Sequence, residues 1–204
     1  MTYSDLQQRI YKNKVSRSFN VTDVGKELIL MMEEFGELND AYLLREEVIN
    51  RDTHKEFTAK IVDAVGDLQV YNLGLSSMFG WKADEVINHR LERPKLQFAS
   101  YPCRSDNSMD CGSWDQDEYK VEIHPKIDSY FPFAGRELGR LANAYKKSNK
   151  EPVGEIDRRD EFRTTIGNLM GYCSKMFEVL EADEFSVLEA IVKNNETRTH
   201  EGQI

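Results

Sequence analysis

Apolar residues recur along residues 28–42 at the three- and four-residue steps of a helix: Leu28, Met31, Phe35, Leu38 and Tyr42. The same spacing returns at Ile61, Val65, Leu68 and the Asn72-Leu73 pair. A half-buried strand alternates every second residue, so this pattern commits both stretches to helices with one buried stripe each. Strand signals are almost absent elsewhere. Tyr119-Lys120-Val121-Glu122-Ile123 alternates over too few residues to build a sheet. The expected fold class is all-α.

Helix boundaries follow from capping chemistry. Ser4-Asp5-Leu6-Gln7 reads as a capping box opening a short helix with Leu6, Ile10 and Tyr11 apolar. Thr22-Asp23 caps a long helix to about Glu46. Thr53-His54-Lys55-Glu56 is a second box, and the helix it opens ends at Gly80, a residue suited to the left-handed position after a helix. A shorter helix from Ala83 to about Glu92 stops before Pro94.

Carboxylates border both stripes. Glu34 and Glu37 share a face of the first helix, with Glu33 one step round, and Asp63 and Asp67 stand four apart on the second. Two packed helices would pool these acids, and such a cluster repels itself unless a cation neutralises it. Oxygen ligands without Cys or His suit a hard ion such as Mg²⁺, which commonly bridges a substrate phosphate. An E-x-x-E spacing is also ordinary on a solvated helix face. Gly36 and Gly66, each just before an acid in mid-helix, add weight, because a mid-helix glycine costs about 1 kcal/mol relative to Ala and usually marks close helix packing or function.

At Glu33-Glu34-x-x-Glu37 and the later Gly66-Asp67 the sequence resembles the MazG-like, all-α NTP pyrophosphohydrolase superfamily, whose signature is E-E-x-x-E followed by E-x-x-D. Glu33, Glu34, Glu37 and Asp67 match it. Ala64 stands where the second motif has Glu, and Asp63 beside it supplies an acid on roughly the same face. The resemblance implies a helical bundle that cleaves a (d)NTP with water to the (d)NMP and pyrophosphate, using Mg²⁺ or, in its place, Mn²⁺. It implies catalytic roles for Glu33, Glu34, Glu37 and Asp67, and metal ligation by Glu34, Glu37, Asp63 and Asp67. Lys82, Arg90 and Arg93 are the candidate substrate-binding cations from the first half, and Arg136, Arg140 and Lys193 those from the second. For each, an exposed charge on a solvated face is an equal alternative. Tyr42, Tyr71, Tyr145 and Tyr172 could contact a base, although at helical spacing beside leucines they read as core.

The second half echoes the first. Leu138-Gly139-Arg140-Leu141-Ala142-Asn143-Ala144-Tyr145 parallels Phe35-Gly36-Glu37-Leu38-Asn39-Asp40-Ala41-Tyr42, 103 residues on. Ile166-Gly167-Asn168-Leu169-Met170-Gly171-Tyr172 parallels Val65-Gly66-Asp67-Leu68-Gln69-Val70-Tyr71, 101 residues on, and Val187-Leu188 parallels Val86-Ile87. Packing residues persist while acids are lost. Arg136, Arg140, Thr164 and Asn168 stand opposite Glu33, Glu37, Asp63 and Asp67, and Glu137 alone keeps the charge of Glu34. The expected organisation is a MazG-like helical repeat over 1–94, a polar linker over 95–125 and a degenerate second repeat over 126–204, the halves forming an intrachain pseudo-dimer. Such chains could pair again as a homodimer.

A net charge of −9 argues against a nucleic-acid or anionic-membrane surface, while leaving metal-mediated nucleotide binding open. No apolar run reaches transmembrane length, and Met1-Thr2-Tyr3-Ser4-Asp5 is not a signal-peptide core. The sparse cysteines, Cys103, Cys111 and Cys173, fit reduced thiols in a cytoplasmic protein. Cys103, Cys111 and His124 fall in the linker with too few ligands for zinc. A di-iron carboxylate bundle would need E-x-x-H motifs, which His54, His89, His124 and His200 do not supply. The remaining alternative to an enzyme is a catalytically inactive nucleotide- or metal-binding module, which Ala64 favours.

Overall fold

A computed structural model describes residues 1–89, 126–148 and 155–197, the side chains of 155–158 excepted. The expected linker and its Cys103, Cys111 and His124, the Tyr119–Ile123 alternation, Arg90, Arg93, the Glu92-Pro94 helix end and His200 lie outside the described residues. Those described form helices and no strand: α1 (Tyr3–Ser16), α2 (Val24–Glu47), α3 (Arg51–Met78), α4 (Ala83–Asn88), a 3-10 turn (Ile127–Tyr130) leading into α5 (Phe131–Ser148), α6 (Glu155–Val179) and α7 (Glu184–Thr197). The all-α expectation holds for them.

Two helix starts differ from the expected ones. Helix α1 is capped by Thr2, whose hydroxyl accepts from the Asp5 amide while the Asp5 carboxylate accepts from the Thr2 amide. The box therefore sits two residues before the Ser4 position. Asn50, rather than Thr53, caps α3 by accepting from the Asp52 amide. Asp23 caps α2 as expected, through the Lys26 amide.

The apolar stripes form one core. Met31, Leu38, Ile61, Val65 and Leu73 are wholly buried, and Phe35 and Tyr42 pack at its margin. Leu138, Leu141, Ile166 and Leu169 extend it through the second half. Helix α2 lies against α3, α5 lies against α6, and α3 and α6 meet at the centre. The short helices cross over: α4 packs on α6, while α7 packs on α3. Gly66 serves that crossing, since a Cβ there would run into the Ile191 side chain with Val187 only 3.3 Å away. Gly36 does not serve packing. It is exposed and a Cβ there would meet nothing, so the expected close helix approach is absent at that glycine.

Helices α3 and α6 also end alike. After α3 the Trp81 amide donates to Ser76 O at 2.9 Å and the Gly80 amide to Ser77 O at 3.0 Å, with Gly80 at φ +70°. After α6 the Ala182 amide donates to Phe177 O at 3.0 Å and the Glu181 amide to Glu178 O at 3.2 Å, with Glu181 at φ +54°. This is the Schellman closure, which satisfies the last carbonyls only if one residue turns left-handed. The first helix meets that demand with glycine; the second forces glutamate into it.

Candidate functional site

Because α2 and α3 pack along their stripes, Asp63 and Asp67 of α3 come within electrostatic reach of Glu34 on α2. Glu33, Glu37 and Asp63 are exposed, while Glu34 and Asp67 are half-buried where the two helices approach. Burial pushes the Glu34 carboxyl from 4.5 up to about 7, reinforced in turn by the charges of Asp67, Glu37, Glu33 and Asp63. The other four acids singled out in the sequence thus all act on Glu34. Glu34 loses water there and the charges that act on it are all negative, so its protonated form is favoured. Ala64 is 5% exposed, its methyl packed in the core, so no acid stands at that position.

Three further residues border the cluster. Glu27, one α2 face-length below Glu34, is 1% exposed and receives Lys14 Nζ at 2.7 Å and Asn20 Nδ2 at 3.1 Å. The Lys14 ammonium also lies over the Tyr71 ring, 5.4 Å from its centroid. Burial, then Glu34, Glu27, Asp67 and Glu33, push the Tyr71 hydroxyl pKa up. Tyr71 therefore lies between the acids and an ion pair that joins Lys14 of α1 to Glu27 of α2. Sequence reasoning placed Tyr71 in the core and overlooked Lys14 and Glu27. The available signal was an acid four residues before Met31 on a stripe otherwise apolar.

Between α5 and α6 the carboxylate aligned with Glu34 in sequence is paired from within. Glu137 is fully buried, and Arg136 binds it through Nη2 at 2.9 Å and Nε at 3.0 Å. Arg140 Nη1 reaches it at 3.4 Å, and Asn168 Nδ2 donates to it at 3.3 Å. Arg136 Nη2 also donates to the Tyr172 hydroxyl at 3.4 Å. Charge-assisted bonds of this kind replace the water that a buried carboxylate gives up.

The other candidates fall elsewhere on the helices. Lys82 lies beyond the C-terminal end of α3, exposed, with Nζ 3.7 Å from Glu85. That end is about 17 Å along the helix from Asp67, at 1.5 Å per residue. Lys193 is exposed on α7. The Tyr42 hydroxyl donates to Asp128 at 2.9 Å, Tyr145 packs against Gly25, and Tyr172 is buried, so these three are structural.

By chemistry the five carboxylates fit a hard divalent cation. By position they are not gathered: among the described residues no three or more His, Cys, Asp or Glu side chains are close enough to hold a metal ion. Glu33 and Glu37 are exposed. Compared with known proteins, the chain matches no family model, no curated protein and no solved structure. Among the described residues no helix is long and apolar enough to cross a membrane.

Proposed function

We propose that the chain is a Mg²⁺-dependent nucleoside triphosphate pyrophosphohydrolase working from the α2/α3 acids. Water would attack the α-phosphorus, the bond to the bridging oxygen would break, and pyrophosphate would leave beside the monophosphate. Glu34, Glu37 and Asp67 are the residues to hold the metal, with Glu33 and Asp63 next in line. Bound there, Mg²⁺ would offset the charge of the triphosphate and polarise the phosphorus under attack. The protein's own part is to bring five acids to one seam and to keep Glu34 partly out of water. Residues 1–94 and 126–204 would be two repeats of one MazG-like bundle, joined by 95–125 and packed as an intrachain pseudo-dimer, with one hydrolytic site per chain.

One contrast supports this reading above the rest. Glu137 has two guanidiniums beside it, whereas Glu34, at the matching register, has four carboxylates. A half-buried carboxylate on which only like charges act is suited to a bound cation. A second reading, a nucleotide- or metal-binding module without turnover, is favoured by the Ala64 methyl in the core, which removes one acid of the family pattern.

Pyrophosphate release from a panel of NTPs and dNTPs, with and without Mg²⁺, tests the enzyme beside the Glu37→Gln variant. Matched monophosphate and pyrophosphate, Mg²⁺-dependent and cut at least about 100-fold in a folded variant, are expected from the loss of several kcal/mol of charge stabilisation. Full turnover in the variant sinks the site. A folded wild type that binds Mg²⁺ or nucleotide yet releases nothing favours the binding module.

A further inference from the structure

The two arginines of α5 are oddly placed for a purely internal salt bridge. Arg136 and Arg140 lie four apart, so one turn of helix separates them on a single face. Both grip the wholly buried Glu137, yet their side chains remain 54% and 53% exposed. The single carboxylate offsets one of the two positive charges, leaving the pair with a net charge of about +1 at the surface. Arg136 is held further by Tyr172 and by the Phe133 ring, whose centroid is 5.5 Å from its guanidinium and which stacks on Tyr172 at 5.6 Å. Arg136 thus turns Nε and Nη2 inward and Arg140 turns Nη1 inward, while about half of each side chain stays exposed with an aromatic ring beside Arg136. Guanidinium donors held in a rigid fork bind phosphate oxygens directly, with no metal between.

We propose that Arg136 and Arg140 form a second, metal-independent site for the phosphate chain of a nucleotide. It is chemically the inverse of the α2/α3 seam: that one needs a cation to receive phosphate, this one carries its cations. The site does not depend on hydrolysis by the first, and its ligand would bind without being cleaved.

The test is calorimetric titration of the full chain in EDTA with tripolyphosphate, ATP and adenosine. Simple removal of the arginines would strand a buried carboxylate, so the informative variant is Arg136→Gln/Glu137→Gln/Arg140→Gln, which keeps a neutral hydrogen-bonded cluster of similar shape. Tripolyphosphate and ATP should bind wild type, more weakly as salt rises. Affinity should fall at least tenfold in the folded triple variant and change less than twofold in Glu37→Gln. Any of four results overturns the proposal: no binding in EDTA, undiminished binding in the triple variant, equal loss in Glu37→Gln, or adenosine binding as well as ATP.

Discussion

Glu34 on α2 and Glu137 on α5 stand opposite one another when the echoing stretches of the two halves are aligned, and their fates are opposite. Glu34 is half-buried among Asp67, Glu37, Glu33 and Asp63, and its carboxyl is driven up to about 7. Glu137 is completely buried, gripped by Arg136 and Arg140 and hydrogen-bonded by Asn168. Burial is deeper where the charge is paired. That ordering is physical: a carboxylate can leave water entirely when donors replace its hydration, and only partly when like charges surround it. In the α5/α6 seam the carboxylate is paired by arginines of its own helix, whereas every charge that raises the Glu34 carboxyl is negative.

The contrast can be broken hardest by exchanging the residues. Glu33→Arg/Glu37→Arg/Asp67→Asn gives the first seam the partners of the second. Mg²⁺-dependent pyrophosphate release should vanish while the melting temperature rises in EDTA. Retained Mg²⁺-dependent turnover would mean that the two seams differ for another reason.

The reverse damage is expected in the second half. Arg136→Ala/Arg140→Ala leaves Glu137 buried with only Asn168, and urea unfolding should show a loss of about 3 kcal/mol, at the low end for breaking a buried pair because the arginines are half-exposed. A loss below 0.5 kcal/mol (on the order of ordinary surface substitutions) would show that Glu137 is readily protonated instead.

The pH response sharpens the comparison at smaller amplitude. Glu34 has its pKa raised on folding, so its contribution to stability is complete below about 4.5 and is lost as pH rises through about 7. In EDTA, stability should therefore fall across that window, by about 1 kcal/mol after discounting for solvent screening. Mg²⁺ should restore it above pH 7, and Glu34→Gln should flatten the EDTA profile. A flat wild-type profile would show that the four neighbouring charges are screened.

Glycine substitutions give the smallest and most local check. Gly36→Ala, into open space, should stabilise the fold by about 1 kcal/mol. Gly66→Ala, against Ile191 and Val187 of α7, should destabilise it by about 1 kcal/mol or more as those side chains give way. Thermal melts of the two variants moving in the same direction would contradict the crossing of α7 over α3.

Periodicity alone determined that this chain is helical and which faces are buried. The stripe of Leu28, Met31 and Leu38, with Ile61, Val65 and Leu68 on its partner, needs only the 3.6-residue turn to be read. Gly80 as a helix end and Asp23 as a cap were equally local, because one residue's backbone or side chain satisfies the terminal groups. Proximity was not local. Residues 34 and 67 are placed together, and Lys14 against Glu27 and Tyr71, only by how α1, α2 and α3 pack. Gly36 and Gly66 read alike in the sequence, yet only Gly66 faces another helix. At four aligned positions the second seam has Arg136, Arg140, Thr164 and Asn168 where the first has acids. Whether a charge is met by solvent, by its own kind or by an arginine depends on distance and burial, and those exist only once the chain has folded.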